Sequence, residues 1–368
     1  MKRWIKILIA NLIIFLLLIV LIELFMGITR IVIGKKFYFP LHQFDPCREM
    51  KTDVLLSHVP NHRGQCNIKN GYADGEYVRY NSSKLSNPVL LTLGGSTTAG
   101  FYQHFSEGDT YPNYLSQMLA SDYAILNGGV GGYSSLQELF KIIRDAPRIK
   151  NLHTVISLNG TNDVPDYQGL NEIRKFDFPF LSSIQARMNS KQIWTNQSLT
   201  TSLQQILPNL NSLITYLINR SDNDSIKSKV TINNPKAVDA ADRWLINVTR
   251  MHSILQAQGV RYYVFLQPTM GLEGPQSSPT SGTRDERVFK KLLKPSFFQG
   301  DYIQVIRTLY SQLKKHCLTI NYCFDISDEV PPKGNMYKDP RHHNSEGNYL
   351  LAQIIADIIR EQDSINSP

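Results

Sequence analysis

Val89-Leu90-Leu91-Thr92-Leu93-Gly94-Gly95-Ser96-Thr97-Thr98 is a short apolar run that stops at a Gly-rich, hydroxyl-bearing turn. A run without polar alternation fits a strand buried on both faces. Downstream, Tyr111, Tyr114, Leu115 and Met118 recur at the spacing of one helix face. The same order returns twice. Tyr123-Ala124-Ile125-Leu126 ends at Asn127-Gly128-Gly129-Val130-Gly131-Gly132-Tyr133, and Leu136, Leu139, Phe140 and Ile143 follow at helical spacing. Thr154-Val155-Ile156-Ser157-Leu158 ends at Asn159-Gly160-Thr161-Asn162-Asp163. Strand, turn and helix in alternation predict an α/β fold with a parallel sheet, right-handed crossovers and helices on both faces.

Outward from this core the rhythm breaks and resumes. Residues 164–235 are rich in Asn, Ser and Gln and read as an insertion over the sheet edge. Trp244, Val248, Met251 and Leu255 then form a helical stripe that stops at Gly259, and Val260 to Leu266 reads as a further strand ending at Gln267-Pro268. The Gly/Pro/Ser-rich stretch from Gly271 to Gly282 reads as a mobile loop. Leu350, Leu351, Ile354, Ile355, Ile358 and Ile359 mark a closing helix. Residues 29–87, with scattered Pro, Gly and Asn, read as an irregular connection before a domain spanning about 88–362.

The amino terminus carries a different signal. Ile7 to Ile28 is apolar except for Asn11, Glu23 and Gly27. As a helix its 22 residues reach about 33 Å, the thickness of a bilayer core. No small-x-small cleavage site follows, so residues 1–28 read as an uncleaved signal anchor. Lys2, Arg3 and Lys6 before it are matched by Arg30, Lys35 and Lys36 after it, so charge barely discriminates. The tight clustering before the span and the free amino terminus favour an inside amino terminus, a single pass and an extracytoplasmic, periplasmic-type location for the rest. Four cysteines fall in two local pairs, Cys47 with Cys66 and Cys317 with Cys323, which suggests two short disulfides and an oxidising compartment. Neither pair has the spacing of a zinc site, and no metal or cofactor is expected. The net charge of +8 comes without a dense Lys/Arg block or an RNA- or DNA-binding motif, so nucleic acid is not an expected partner.

The chemistry is expected where the three turns meet, because ligands of open parallel sheets bind outside the carboxyl ends of the strands. Ser96 lies directly before a helix, where backbone N–H groups suit a developing oxyanion; alone, it could equally be a helix cap. Asn162 brings a neutral amide to the same rim, while Asp163 reads as a capping residue. Near the carboxyl end, Asp339-Pro340-Arg341-His342-His343-Asn344-Ser345-Glu346-Gly347 sets a carboxylate three residues before an imidazole. A serine hydroxyl needs a base of near-neutral pKa, and that base needs an acceptor to fix its tautomer. His343 is the competing base, and the D-x-x-H spacing selects His342.

Taken together, Gly94-Gly95-Ser96, Asn127 to Gly132, Gly160-x-Asn162-Asp163 and Asp339-x-x-His342-x-Asn344-x-x-Gly347 resemble the ordered blocks of the SGNH (GDSL-like) hydrolase superfamily. The resemblance implies a flavodoxin-like α/β/α fold with Ser96 as nucleophile, His342 as general base and Asp339 as its orienting partner. It also implies an oxyanion hole of the Ser96 N–H, the Gly132 N–H and the Asn162 side chain. Gly95 stands where many members carry aspartate. The expected activity is a serine esterase acting on an O-acyl, most plausibly acetyl, ester of a carbohydrate or cell-envelope substrate, with a lipid ester as a further candidate. Two alternatives share the features: an O-acetyltransferase acting on envelope polysaccharide through the same site, and a non-catalytic membrane-anchored binding protein.

Overall fold

The computed structural model describes residues 2–32, 50–53, 56–60, 62–68, 70–80, 86–100, 109–163, 234–272, 279, 281–292 and 302–366. The chain divides into two compact units. The first, Met1–Pro46 with Gln185–Lys229, carries helix α1 (Lys2–Val32). The anchor expected over 7–28 lies on α1, but the side chains of 7–9, 12 and 16 are outside the described residues. Among the described residues no helix is long and apolar enough to cross a membrane, so a membrane-spanning helix is not supported by them. The insertion expected at 164–235 lies outside the described residues as far as 233, as do 273–278 and 280 of the expected loop.

The second unit, Cys47–Ile184 with Val230–Pro368, holds every other described element. It runs β1 (Met50–Asp53), β2 (Ser57–Pro60), β3 (His62–Ile68), β4 (Gly71–Gly75), β5 (Tyr77–Tyr80), β6 (Val89–Gly94), α2 (Ser96–Ala99), α3 (Tyr111–Met118), β7 (Ala124–Asn127) and α4 (Ser135–Asp145). It continues with β8 (Leu152–Asn159), α5 (Asn234–Gln256), β9 (Arg261–Leu266), α6 (Arg284–Leu292), α7 (Tyr302–Cys317), β10 (Cys323–Asp325) and α8 (Ser345–Asn366).

Apolar continuity makes the centre of the sheet. All six residues of β6, the last six of β8 and the last five of β9 are buried, as strands covered on both faces require. The main sheet is ordered β10-β9-β8-β6-β7-β5-β4-β3, and the five strands from β10 to β7 are mutually parallel. Counted in chain order, those five run 2-1-3-4-5, the flavodoxin-like order, with its switch point beside β6. Right-handed crossovers then put α3 on one face and α4, α5 and α7 on the other. The packing agrees: α8 lies against α3, while α5 lies against α4 and α7. Trp244, Val248, Met251 and Leu255 of α5 have no exposed surface, as their spacing predicts. Each such side chain contributes roughly 1.5–3 kcal/mol through burial.

The stretch read as irregular, 29–87, is different in its described part. It holds five strands, and β3, β4 and β5 extend the parallel sheet antiparallel from β7, with Val78 opposite Asn127. Short polar edge strands show neither a continuous apolar run nor clean alternation, which is why the sequence pattern conceals them. A charged cluster fixes them to α4. Lys141 is fully buried, 3.3 Å from Glu76 and 3.2 Å from Asp145, with its ammonium 4.3 Å from the Tyr77 ring centre. The β1–β2 hairpin sends Leu56 and Val59 against Val130 and Tyr133 of the second Gly-rich turn. Cys317 and Cys323 form the expected disulfide, joining the end of α7 to the start of β10. Cys66 is also disulfide-bonded, and Cys47 lies outside the described residues.

Candidate active site

Register brings the three turns side by side. Gly94 at the end of β6 pairs with Leu158 of β8, and Thr92 pairs with Asn127 at the end of β7. Side chains then tie the turns together. Asn127 donates through Nδ2 to the Thr98 carbonyl at 2.8 Å, and its Oδ1 accepts the Gly129 N–H at 2.9 Å. The Val130 N–H donates to the Gly94 carbonyl at 3.0 Å.

Ser96 is the first residue of α2, and the cap position belongs to Gly95. The Ser96 hydroxyl is therefore not spent on capping; its Oγ lies 2.6 Å from His342 Nε2. A first-turn N–H has no intrahelical carbonyl to meet, so that of Ser96 is placed to serve a ligand. On the far side of the ring, His342 Nδ1 lies 2.8 and 2.7 Å from the two Asp339 oxygens. Asp339 Oδ1 also accepts the N–H groups of Arg341 and His342 at 2.9 and 3.1 Å. Burial pushes the Asp339 carboxyl up. The hydrogen bond and charge of His342, with the two N–H groups, outweigh burial and hold it below the usual carboxylate range. An ionised carboxylate only accepts, so Nδ1 carries the proton and Nε2 faces the serine as an acceptor.

His343 has the opposite character. It is 1% exposed, its ring sits 4.7 Å from that of Tyr337, and burial, followed by the charge of His342, lowers its pKa to about 3. A base so depressed and so enclosed does not compete with His342.

The third turn places Asn162 against the first. Asn162 Nδ2 donates to the Tyr133 carbonyl at 2.9 Å, and a Cβ at position 95 would fall 1.9 Å from that nitrogen. Only glycine at 95 admits this approach. An amide carries two hydrogens, and the bond to Tyr133 uses one and aims the other. Gly132 has φ +83°, a left-handed conformation suited to glycine, immediately before Tyr133. Asp163 accepts the Ser135 N–H and hydroxyl at 2.9 and 2.6 Å, which makes it a cap for α4.

One group has no counterpart in the sequence reading. Gln267, just past β9, donates through Nε2 to Thr97 Oγ1 at 3.0 Å and to the Arg341 carbonyl at 2.9 Å. Further on, Thr269 Oγ1 and the Met270 N–H both donate to the Pro340 carbonyl, at 2.8 and 2.9 Å. The available signal was a polar amide at the carboxyl end of a parallel strand, the position that Asn127 and Asn159 also occupy. Among the described residues, no group of three or more His, Cys, Asp and Glu side chains is placed to hold a metal ion.

No family model and no curated protein matches the chain. It is similar to several solved structures. An acetyl xylan esterase is 13% identical with a TM-score of 0.37, covering 74% of this chain and 100% of that one. A GDSL-like lipase from Bacteroides thetaiotaomicron is 13% identical with a TM-score of 0.39, covering 76% and 93%. A psychrotrophic esterase from Pseudoalteromonas sp. is 12% identical with a TM-score of 0.40, covering 75% and 98%. At TM-scores this low the likeness says nothing of the reaction or its substrate.

Proposed function

We propose that the protein is a serine ester hydrolase of the SGNH type, with Ser96, His342 and Asp339 as its catalytic residues. The observation that carries this reading is the unbroken line from Ser96 Oγ through the His342 ring to the Asp339 carboxylate. In the first step Ser96 Oγ bonds to the acyl carbon and its proton passes to His342 Nε2. The carbonyl electrons move onto oxygen, where the Ser96 and Gly132 N–H groups and the Asn162 amide receive the negative charge. His342 then gives its proton to the departing alkoxide as the ester bond breaks. Water repeats the sequence on the acyl-serine and frees the acid.

The substrate class rests on the sequence: an apolar segment over 7–28, ahead of the site-bearing unit in the chain, suits an acetyl ester on an envelope carbohydrate. The same apolar run is the ground for a membrane tether in this reading. Alkaline extraction reads the tether directly. The full chain stays in the membrane pellet, and its appearance in the supernatant removes that part of the reading.

Hydrolysis of p-nitrophenyl acetate by wild type, Ser96→Ala and His342→Ala tests the chemistry. Loss of either triad member is expected to lower kcat by about 10⁴–10⁶-fold. Equal turnover in all three proteins discards the assignment. Acetyl transfer to an added glycan in preference to water redirects the second step to a sugar acceptor.

A further inference from the structure

Ser96 and His342 are 246 residues apart in the chain, yet their atoms meet at 2.6 Å. Neither sits on a long rigid element. Ser96 opens a four-residue helix, and His342 belongs to the loop before α8. Something must hold the two loops in register. We infer that Gln267 is the positioning residue that does so, an inference that rests on the hydrolase reading.

The geometry singles it out. Thr97 directly follows the nucleophile, and Arg341 directly precedes the base. The two hydrogens of the Gln267 amide go one to Thr97 Oγ1 and one to the Arg341 carbonyl. Thr97 Oγ1 in turn donates to the same carbonyl at 3.3 Å, closing a triangle. Gln267 is itself immobilised. Its side chain is 4% exposed, its N–H donates to the Asn159 carbonyl at 2.7 Å, and its carbonyl accepts the Tyr310 hydroxyl at 2.7 Å. The strut therefore stands on two central strands and on α7. Its amide bonds to the neighbours of Ser96 and His342 rather than to the Ser96 hydroxyl or the His342 ring, so it acts through the Ser96–His342 distance. A misplacement of about 1 Å between reacting groups costs on the order of 10²-fold in rate.

Two near-isosteric variants test it, Gln267→Met and Thr97→Val. Each is measured by melting temperature, by kcat and KM on p-nitrophenyl acetate, and by the rate at which diisopropyl fluorophosphate labels Ser96. For Gln267→Met, kcat and the labelling rate are expected to fall about 10–100-fold with KM within about twofold. Thr97→Val should fall less, and the double variant should lose less than the product of the two, because both break one triangle. A folded Gln267→Met with wild-type labelling, or with a change in KM alone, overturns the inference and leaves the hydrolase reading intact. A wild type that does not label at Ser96 removes both. If Gln267→Met does not melt cooperatively, Thr97→Val decides alone: an unchanged labelling rate in it rejects the strut.

Discussion

At the scale of single residues, the site is a set of close approaches, and each depends on a side chain being small or oriented. Gly95 is the sharpest instance, because a methyl group there would overlap the Asn162 amide at 1.9 Å. Gly95→Ala is accordingly expected to displace the Asn162 donor and lower kcat by about 10²–10³-fold, the usual effect of losing one oxyanion donor. Steady-state kinetics read this, and a kcat equal to wild type would show that Asn162 gives nothing to the reaction. Asp339 and His342 lie one turn of chain apart, a local spacing that the sequence displays, whereas Ser96, 246 residues away, is joined to them in the sequence only through the ordered blocks of the resemblance. The adjacent pair His342 and His343 was separable by the same local spacing. Gln267 was not legible, since an amide becomes a strut only when two loops distant in sequence converge on it.

At the scale of elements, α4 is held to the sheet by a buried acid. Glu138 has no exposed surface, and Asn159 Nδ2 donates to its Oε1 at 2.7 Å. Burial raises its pKa from 4.5 to about 8, against the hydrogen bond from Asn159. The folded protein thus keeps this proton between about pH 4.5 and 8 while the unfolded chain releases it, so the Glu138 contribution to stability falls as pH rises through that window. Glu138→Gln keeps the acceptor and cannot ionise. It is expected to be more stable than wild type at pH 8, by an amount on the order of a few kcal/mol, and to match it at pH 4. Parallel melting curves across that range would mean that Glu138 is ionised when folded. Elements differed in how far the sequence revealed them. The strands β6 to β9 and the helices α3, α4, α5 and α8 announce themselves through apolar runs or stripes. The added strands β3 to β5 are short, and β3 opens with the polar His62-Arg63-Gly64-Gln65; they are explained by the ladder in which β3 pairs with β4, β4 with β5 and β5 with β7.

At the scale of the whole molecule, strand order decides where chemistry can occur. The 2-1-3-4-5 arrangement leaves the carboxyl ends of β6, β7 and β8 adjacent, and the 339–342 loop bonds to the turn after β6 and to the segment after β9. Antiparallel β3 to β5 lengthen the sheet on the β7 side, and the β1–β2 hairpin packs on the turn that holds Gly132. Fold class was legible at this scale because alternation of strand and helix is a global pattern. The edge extension was not, because it obeys no periodicity. On the proposed mechanism Ser96 carries a covalent acyl intermediate. Rapid quenching of the protein with p-nitrophenyl acetate, followed by mass analysis of its peptides, measures that directly. An acetyl group is expected on the peptide containing Ser96 and is expected to be absent in Ser96→Ala; turnover with the acetyl group on another residue, or with none on Ser96, would rule out the acyl-serine route.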